Sequence, residues 1–274
     1  MFASQGQNEY VFRALSFSQL TYQIEDRVAE VALARPEKRN ALNDVLIQEL
    51  TDALTQANKT PSVKVVVLTG SGKVFCAGAD LEYLQKLSAY SLAENQEDSR
   101  KLMKLFQIIY EMRKPIIAKV NGPAIAGGCG LATVCDFVFA SREQAAFGYS
   151  EVKIGFIPAL VLVFLSRRIG EGRARELVLS GKTIDASKAK EIGLVTEVVD
   201  HDQLSTYARN FAGELVSSNS SSSMALTKEM FTTIANMNFI QALEYAANMN
   251  AVTRMTEDSK KGIAAFLKKE KIQW

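Results

Sequence analysis

Short apolar runs rich in β-branched residues alternate with longer amphipathic stretches over the first two-thirds of the chain. The runs Val28–Leu33 (VAEVAL), 63–68 (VKVVVL), Ile116–Val120 (IIAKV) and 137–140 (FVFA) are bounded by Gly, Pro or polar residues and predict strands. Between them, 43–58 and 93–113 carry apolar residues at helical spacing, with Leu46, Ile47, Leu50 and Leu54 forming one stripe. Strand–helix–strand alternation implies parallel strands joined by right-handed crossovers. From about residue 186 the pattern turns to helices alone, amphipathic over 206–216, 223–235, 239–249 and 256–269, and the serine-rich 217–223 reads as a loop. The expected organisation is an α/β core over residues 1–200 followed by a helical region over 201–274. That second region has much apolar surface for its size, so it is expected to pack on the core or on another subunit.

Composition narrows the function classes. The 274 residues are 47% hydrophobic, enough to bury a sizeable core. Lys+Arg 32 against Asp+Glu 30 leaves a net charge of +2, which gives no electrostatic reason to expect nucleic acid or an anionic membrane as partner. Cys76, Cys129 and Cys135 show no CxxC spacing, and with a single histidine, His201, no metal site is expected. Free thiols in a reducing compartment are the simpler account. The N-terminus (MFASQGQNEYVFRALSF) lacks the pattern of a secretory or transit peptide. The longest apolar run, 155–165, falls short of the ~20 residues of a spanning helix. The expected location is the cytoplasm.

Two glycine-containing turns follow strands, where open α/β sheets place their ligands. One is Phe75-Cys76-Ala77-Gly78-Ala79-Asp80; the other runs from Asn121 to Gly130 (NGPAIAGGCG) into a predicted helix over 131–134. Small residues let backbone approach a ligand, and fixed N–H groups there could stabilise charge on a carbonyl oxygen. Such turns are common, and spacing alone favours a purely structural turn.

Five blocks carry more: RPEKRNALN (35–43), GKVFCAGADL (72–81), KPIIAKVNGPAIAGGCGLATVCD (114–136), AAFGYSEVKIGFIP (145–158) and GKTIDASKAKEIGLVTEVV (181–199). In these, and in their order, the chain resembles the crotonase (enoyl-CoA hydratase/isomerase) family from about residue 20 to its end. The resemblance implies a spiral of βαβ units with a C-terminal helical trimerisation region, assembled as trimers or dimers of trimers. It implies an acyl-CoA substrate, coenzyme A entering as part of that substrate and no permanently bound cofactor. An oxyanion hole would fall on the N–H groups of Ala79 and Gly127, with Gly128 beside it. Arg39, Ala41, Leu42, Ala77, Asp80 and Leu81 would line the CoA channel. Phe266 and Lys269 would reach the CoA of a neighbouring subunit. Hydratases of the family use two glutamates; one matches Glu151, whereas the other falls on Gly130.

The segment SEVKIGFIPALVLVFLSRRIGE (150–171) has Ala159-Leu160-Val161 after Pro158, where most relatives have further glycines. In this it resembles bacterial methylglutaconyl-CoA hydratases and the hydroxymethylglutaryl-thioester dehydratases of polyketide β-branching. The expected activity is therefore hydration of an α,β-unsaturated acyl-CoA, 3-methylglutaconyl-CoA being the preferred candidate. Loss of the second glutamate keeps an isomerase or decarboxylase as the alternative. An RNA-binding homologue is a further alternative that the balanced charge disfavours. Tyr83 and Lys86, three apart on one helix, are candidates for holding a distal acyl carboxylate. Gly130 is expected to border the reacting carbons and to accept a glutamate without loss of fold. His201 is expected to be a solvated helix-start residue, and Cys129, with no histidine to activate it, is not expected to be a nucleophile.

Overall fold

The computed structural model of the chain describes residues 16–274, so the targeting signals sought in the first residues lie outside the described part. The strands are β1 (Leu20–Glu25), β2 (Val28–Leu33), β3 (Val65–Gly70), β4 (Ile116–Val120), β5 (Ala124–Ile125), β6 (Phe137–Ser141), β7 (Ala146–Gly148), β8 (Thr183–Asp185) and β9 (Glu197–Val199). The first helices are α1 (Asp44–Lys59), α2 (Leu81–Ser88), α3 (Leu92–Glu111), α4 (Gly127–Val134), α5 (Ala159–Ile169), α6 (Glu171–Ser180) and α7 (Ala186–Glu191). Four more close the chain: α8 (Leu204–Ser218), α9 (Ser221–Ile234), α10 (Phe239–Arg254) and α11 (Glu257–Lys268).

The main sheet has the order β1-β2-β3-β4-β6-β9, parallel from β2 onward; β5, β7 and β8 form a second, smaller sheet. Each turn of the chain runs through a main-sheet strand, a short pairing in the second layer, and a helix. The second-layer pairings climb as Leu42 with Ala79, Cys76 with Ala124, and Ala124 with Phe147, all parallel. This is the expected crotonase-like spiral of βαβ units, followed by the expected helical region.

β3 is buried at every position, as a strand covered on both faces must be. One face packs on the α1 stripe (Leu46, Leu50, Leu54) and on Phe106 of α3. The other packs on α8, with Val65, Val67, Ile117 and Phe139 against Leu204, Ala208, Ala212 and Leu215. α8 thus shares a hydrophobic cluster with the sheet although it lies beyond residue 200. The pattern of helices alone begins later than residue 186, because β9 intervenes and pairs with β6. The serine-rich loop shrinks to Asn219 and Ser220, whose hydroxyl caps α9 by accepting from the Ser223 N–H. No residue of α10 or α11 is buried, and Phe239, Met255 and Phe266 stand in solvent. No helix among the described residues is long and apolar enough to cross a membrane.

Asn40 links successive turns of the spiral. It is fully buried at φ 54°; its Oδ1 accepts from the Arg35 N–H at 2.9 Å, and its Nδ2 donates to Ser71 O at 2.8 Å and Val74 O at 2.7 Å. Asn40→Ala leaves one donor and two acceptors buried without partners. We expect a loss of roughly 3 kcal/mol in unfolding free energy by chemical denaturation. A change within experimental error would show that water replaces the side chain at no cost.

Candidate active site

The two glycine-containing turns meet across a backbone seam at the carboxyl ends of β3 and β4. Phe75 and Cys76 donate to Pro123 O at 3.1 and 3.2 Å, and Ile125 donates to Cys76 O at 2.9 Å. On the other side, Ala77 donates to Arg39 O (3.1 Å), Leu42 to Gly78 O (2.7 Å) and Asp80 to Leu42 O (2.8 Å). A Cβ at Gly128 would stand 2.2 Å from Cys76 O, so only glycine lets α4 start this close to the first turn.

The seam leaves two N–H groups over. Neither the Ala79 nor the Gly127 N–H has an acceptor among the described residues. Ala79 is exposed and Gly127 half-exposed, so both can meet a ligand. The direction of the second donor is set by Ala126, whose φ of 50° and ψ of −122° belong to a region that glycine dominates. Such a conformation costs about 1–3 kcal/mol and persists only under strong local constraint. Here the constraint is the Ala126 N–H bond to Gly148 O at 2.8 Å, which anchors the residue to β7. The predicted helix begins four residues earlier than its apolar run suggests, and Gly127 is its first residue. Its positive end therefore lies at this donor.

β7 also delivers the carboxylate. Directly after Gly148, Tyr149 is fully buried and its hydroxyl lies 2.7 Å from that of Thr133 on α4. Glu151 follows as the first residue of a 3-10 turn. Its side chain is buried and Oε2 has no hydrogen-bond partner among the described residues. Burial pushes its pKa above the ordinary 4.5, and the Tyr149–Thr133 contact ties the chain two residues before it to α4.

The remaining expected residues divide. The backbone bonds above bring Arg39, Ala41, Leu42, Ala77, Asp80 and Leu81 together along one edge of the turns. The Asp80 carboxylate, however, is engaged by Arg35 at 2.9 Å and caps α2 through the Glu82 N–H at 3.0 Å, so it supports this edge and has no free oxygen facing a ligand. Tyr83 and Lys86 do not form a pair: the Tyr83 hydroxyl, buried, donates to Asp98, while Lys86 faces Asp44 at 3.5 Å in solvent. Phe266 and Lys269 lie near the end of α11, beyond which Trp274 O accepts from Arg27 at the start of β2. That tether is at the opposite end of the sheet from the turns.

Gly130 overturns an expectation. A Cβ there would lie 2.2 Å from Val161 Cγ1 and 3.1 Å from Phe106 Cζ, so the position has no room for a glutamate unless the Val161 side chain moves. The three cysteines are free and buried; burial pushes the Cys129 thiol up to about 12, which excludes a thiolate. His201 is exposed in the turn that precedes α8, its Nδ1 3.1 Å from Ser141 Oγ. Among the described residues no cluster of His, Cys, Asp and Glu could hold a metal. Arg35 and Asn40, both in the RPEKRNALN block, were not singled out from sequence; Val161 was noted only within Ala159-Leu160-Val161 after Pro158, and its packing against Gly130 was not foreseen.

The Glu151 pKa has a stability consequence. A carboxyl whose folded pKa is raised favours folding below its unfolded value, and that contribution is lost as pH rises through the folded pKa. Glu151→Gln should therefore raise the melting temperature near neutral pH, and the gain should vanish below the ordinary value of 4.5. Melting curves of both proteins across that range test this; a gain independent of pH would show that Glu151 is not desolvated.

The whole described chain has known counterparts. The Enoyl-CoA hydratase/isomerase family model matches residues 23–274. A Thermus thermophilus relative is 43% identical over 242 residues, 88% of this chain and 95% of its own length. The crotonyl-CoA hydratase of Syntrophomonas wolfei is 35% identical over 259 residues, covering 94% of this chain and 98% of its own. The crystal structure of an enoyl-CoA hydratase from Shewanella pealeana superposes with a TM-score of 0.89 at 30% identity, over 94% of this chain and 96% of that one. With these matches spanning the spiral, both turns and the helical region, the chain belongs to the enoyl-CoA hydratase/isomerase family.

Proposed function

We propose that the protein hydrates α,β-unsaturated acyl-CoA thioesters, with Ala79 and Gly127 as the oxyanion hole and Glu151 as the acid–base group. The observation that carries this reading is a pair of N–H donors and a buried carboxyl oxygen, Glu151 Oε2, that have no partner among the described residues. As water adds to the β-carbon, negative charge collects on the thioester oxygen, and two fixed donors there lower the barrier without reorganisation. Glu151, whose pKa burial raises, can take a proton from water and return one to carbon. Arg39, Ala41, Leu42, Ala77, Leu81 and Gly128 are the proposed contacts to CoA and thioester, coenzyme A being carried by the substrate.

The proposed acyl group is 3-methylglutaconyl. Its support is the segment 150–171 and Gly130; the outward-facing Lys86 does not serve its distal carboxylate. Isomerisation is the second reading, because one carboxyl suffices to move a proton between two carbons of an enolate and Val161 occupies the space beside Gly130. Incubation with crotonyl-CoA and 3-methylglutaconyl-CoA, followed by mass analysis, separates the readings. Water gain supports hydration; a product of unchanged mass with a moved double bond, or loss of CO2, assigns the alternative. Glu151→Gln should lower kcat by about 10²–10⁴-fold while CoA-ester binding persists. Near wild-type turnover would overturn the assignment of Glu151.

We further propose a cytoplasmic trimer or dimer of trimers, the region 201–274 supplying the contacts and Phe266 and Lys269 reaching a neighbour's CoA. Support comes from the apolar side chains that α10 and α11 leave in solvent, Phe239 at 75% and Phe266 at 82% exposed among them. Light scattering should give a trimer-based mass. A stable, active monomer would exclude it.

A further inference from the structure

Gly130 lies one turn into α4 from the Gly127 donor, and what fills the missing side-chain space is specific. Val161 Cγ1 sits 2.2 Å from where a Cβ would be, and Val161 itself is 5% exposed. Val161, Leu165 and Ile169 form the buried face of α5. Also on α5, the Phe164 ring packs on Phe106 (centroids 5.9 Å apart) and Tyr110 (5.4 Å) of α3. α5 is also fastened in register: Arg168 donates to Thr133 O (3.1 Å) and Cys135 O (2.6 Å) at the far end of α4, and to Leu194 O (2.9 Å). The carbonyl end of a helix favours such a cation. Glu151 and Val161 are thus the two ends of one short segment, and Val161 presses on α4 at Gly130. One end is polar and one apolar.

We propose that Val161 is a specificity-determining residue: it walls the acyl end of the site and, by filling the space at position 130, holds the site to one acid–base group, Glu151. The inference rests on the active-site reading above. It fixes the path of the proton. As the water oxygen bonds to the β-carbon, an O–H bond breaks and its proton passes to the Glu151 carboxylate. The Cα=Cβ pair moves into the enolate, whose oxygen lies at the Ala79 and Gly127 N–H groups. The same carboxyl then releases that proton to the α-carbon, and the enolate closes to the saturated thioester. Water's oxygen and one of its protons end on one face of the product, and no second carboxyl takes part.

Two sets of variants test this. Val161→Ala opens the wall by two methyl groups. The ratio of kcat/KM for a longer straight-chain enoyl-CoA, trans-2-octenoyl-CoA, to that for crotonyl-CoA should rise about tenfold, the scale of one or two methylenes in a pocket. A merely structural residue would lower both values together, and an unchanged ratio would overturn the proposal. In the second set, Gly130→Glu alone should lower the melting temperature sharply, and Val161→Gly in the same chain should restore it. In that double variant, adding Glu151→Gln should lose at least about tenfold less turnover than it does in the wild type, since a second carboxyl is then present. An equal loss in both backgrounds would overturn the single-carboxyl claim. Should the double variant not fold, the Val161→Ala ratio still decides. Wild-type protein that adds water to neither substrate would sink the underlying hydratase reading, a result distinct from an active wild type with an unchanged ratio.

Discussion

The contact between Gly128 and the Cys76 carbonyl is the constraint on which the site depends. Two loops separated by the whole of α2, α3 and β4 must approach to within backbone contact, and the approach requires that no side chain intervene. Hydrogen bonds between Cys76 and the Pro123–Ile125 stretch fix the register, and Leu42 fixes the other flank. Donors built this way cannot rotate away, because each N–H belongs to a peptide plane whose neighbours are already bonded. The strain at Ala126 is the cost of aiming the Gly127 N–H outward, and the bond to Gly148 holds it there. The spiral is thus more than a support: its second layer is the device that brings Leu42, Ala79, Ala124 and Phe147 into one ladder.

α4 turns that geometry into electrostatics. Eight residues could not hold a helix in water, yet positions 128–134 are all buried, so tertiary packing maintains it. Its amino end meets the site and its carboxyl end meets the Arg168 guanidinium. An enolate oxygen would be stabilised at the first end for the reason that the cation is stabilised at the second. Glu151 is governed by burial, which raises its pKa.

Strong periodicity and local sequence blocks were legible in the sequence; contacts made between helices were not. The α1 stripe and the four apolar runs lie within two residues of the observed elements. β1 escaped because its hairpin turns at Asp26-Arg27, both at positive φ without the usual Asn or Gly. β9 is three residues long, too short for any period to show. The Tyr83–Lys86 pairing failed for a geometric reason. Residues three apart on a helix differ by about 60° around its axis, so at the edge of a buried face they can fall on opposite sides of the boundary. Tyr83 falls inside against Asp98, and Lys86 falls outside against Asp44.

The same limit explains Gly130. From sequence, a glycine where relatives carry a glutamate reads as an emptied place that could be filled again. Protein interiors are packed as densely as organic crystals, so space left by a side chain is taken up by a neighbour. Here the neighbour is Val161 on α5, a helix held to α3 by the Phe164–Phe106 contact and to α4 by Arg168. In this chain the two positions fit each other, Val161 filling the space that Gly130 leaves. Whatever chemistry the site performs, it performs with that apolar wall in place, and restoring the carboxyl requires removing the wall first.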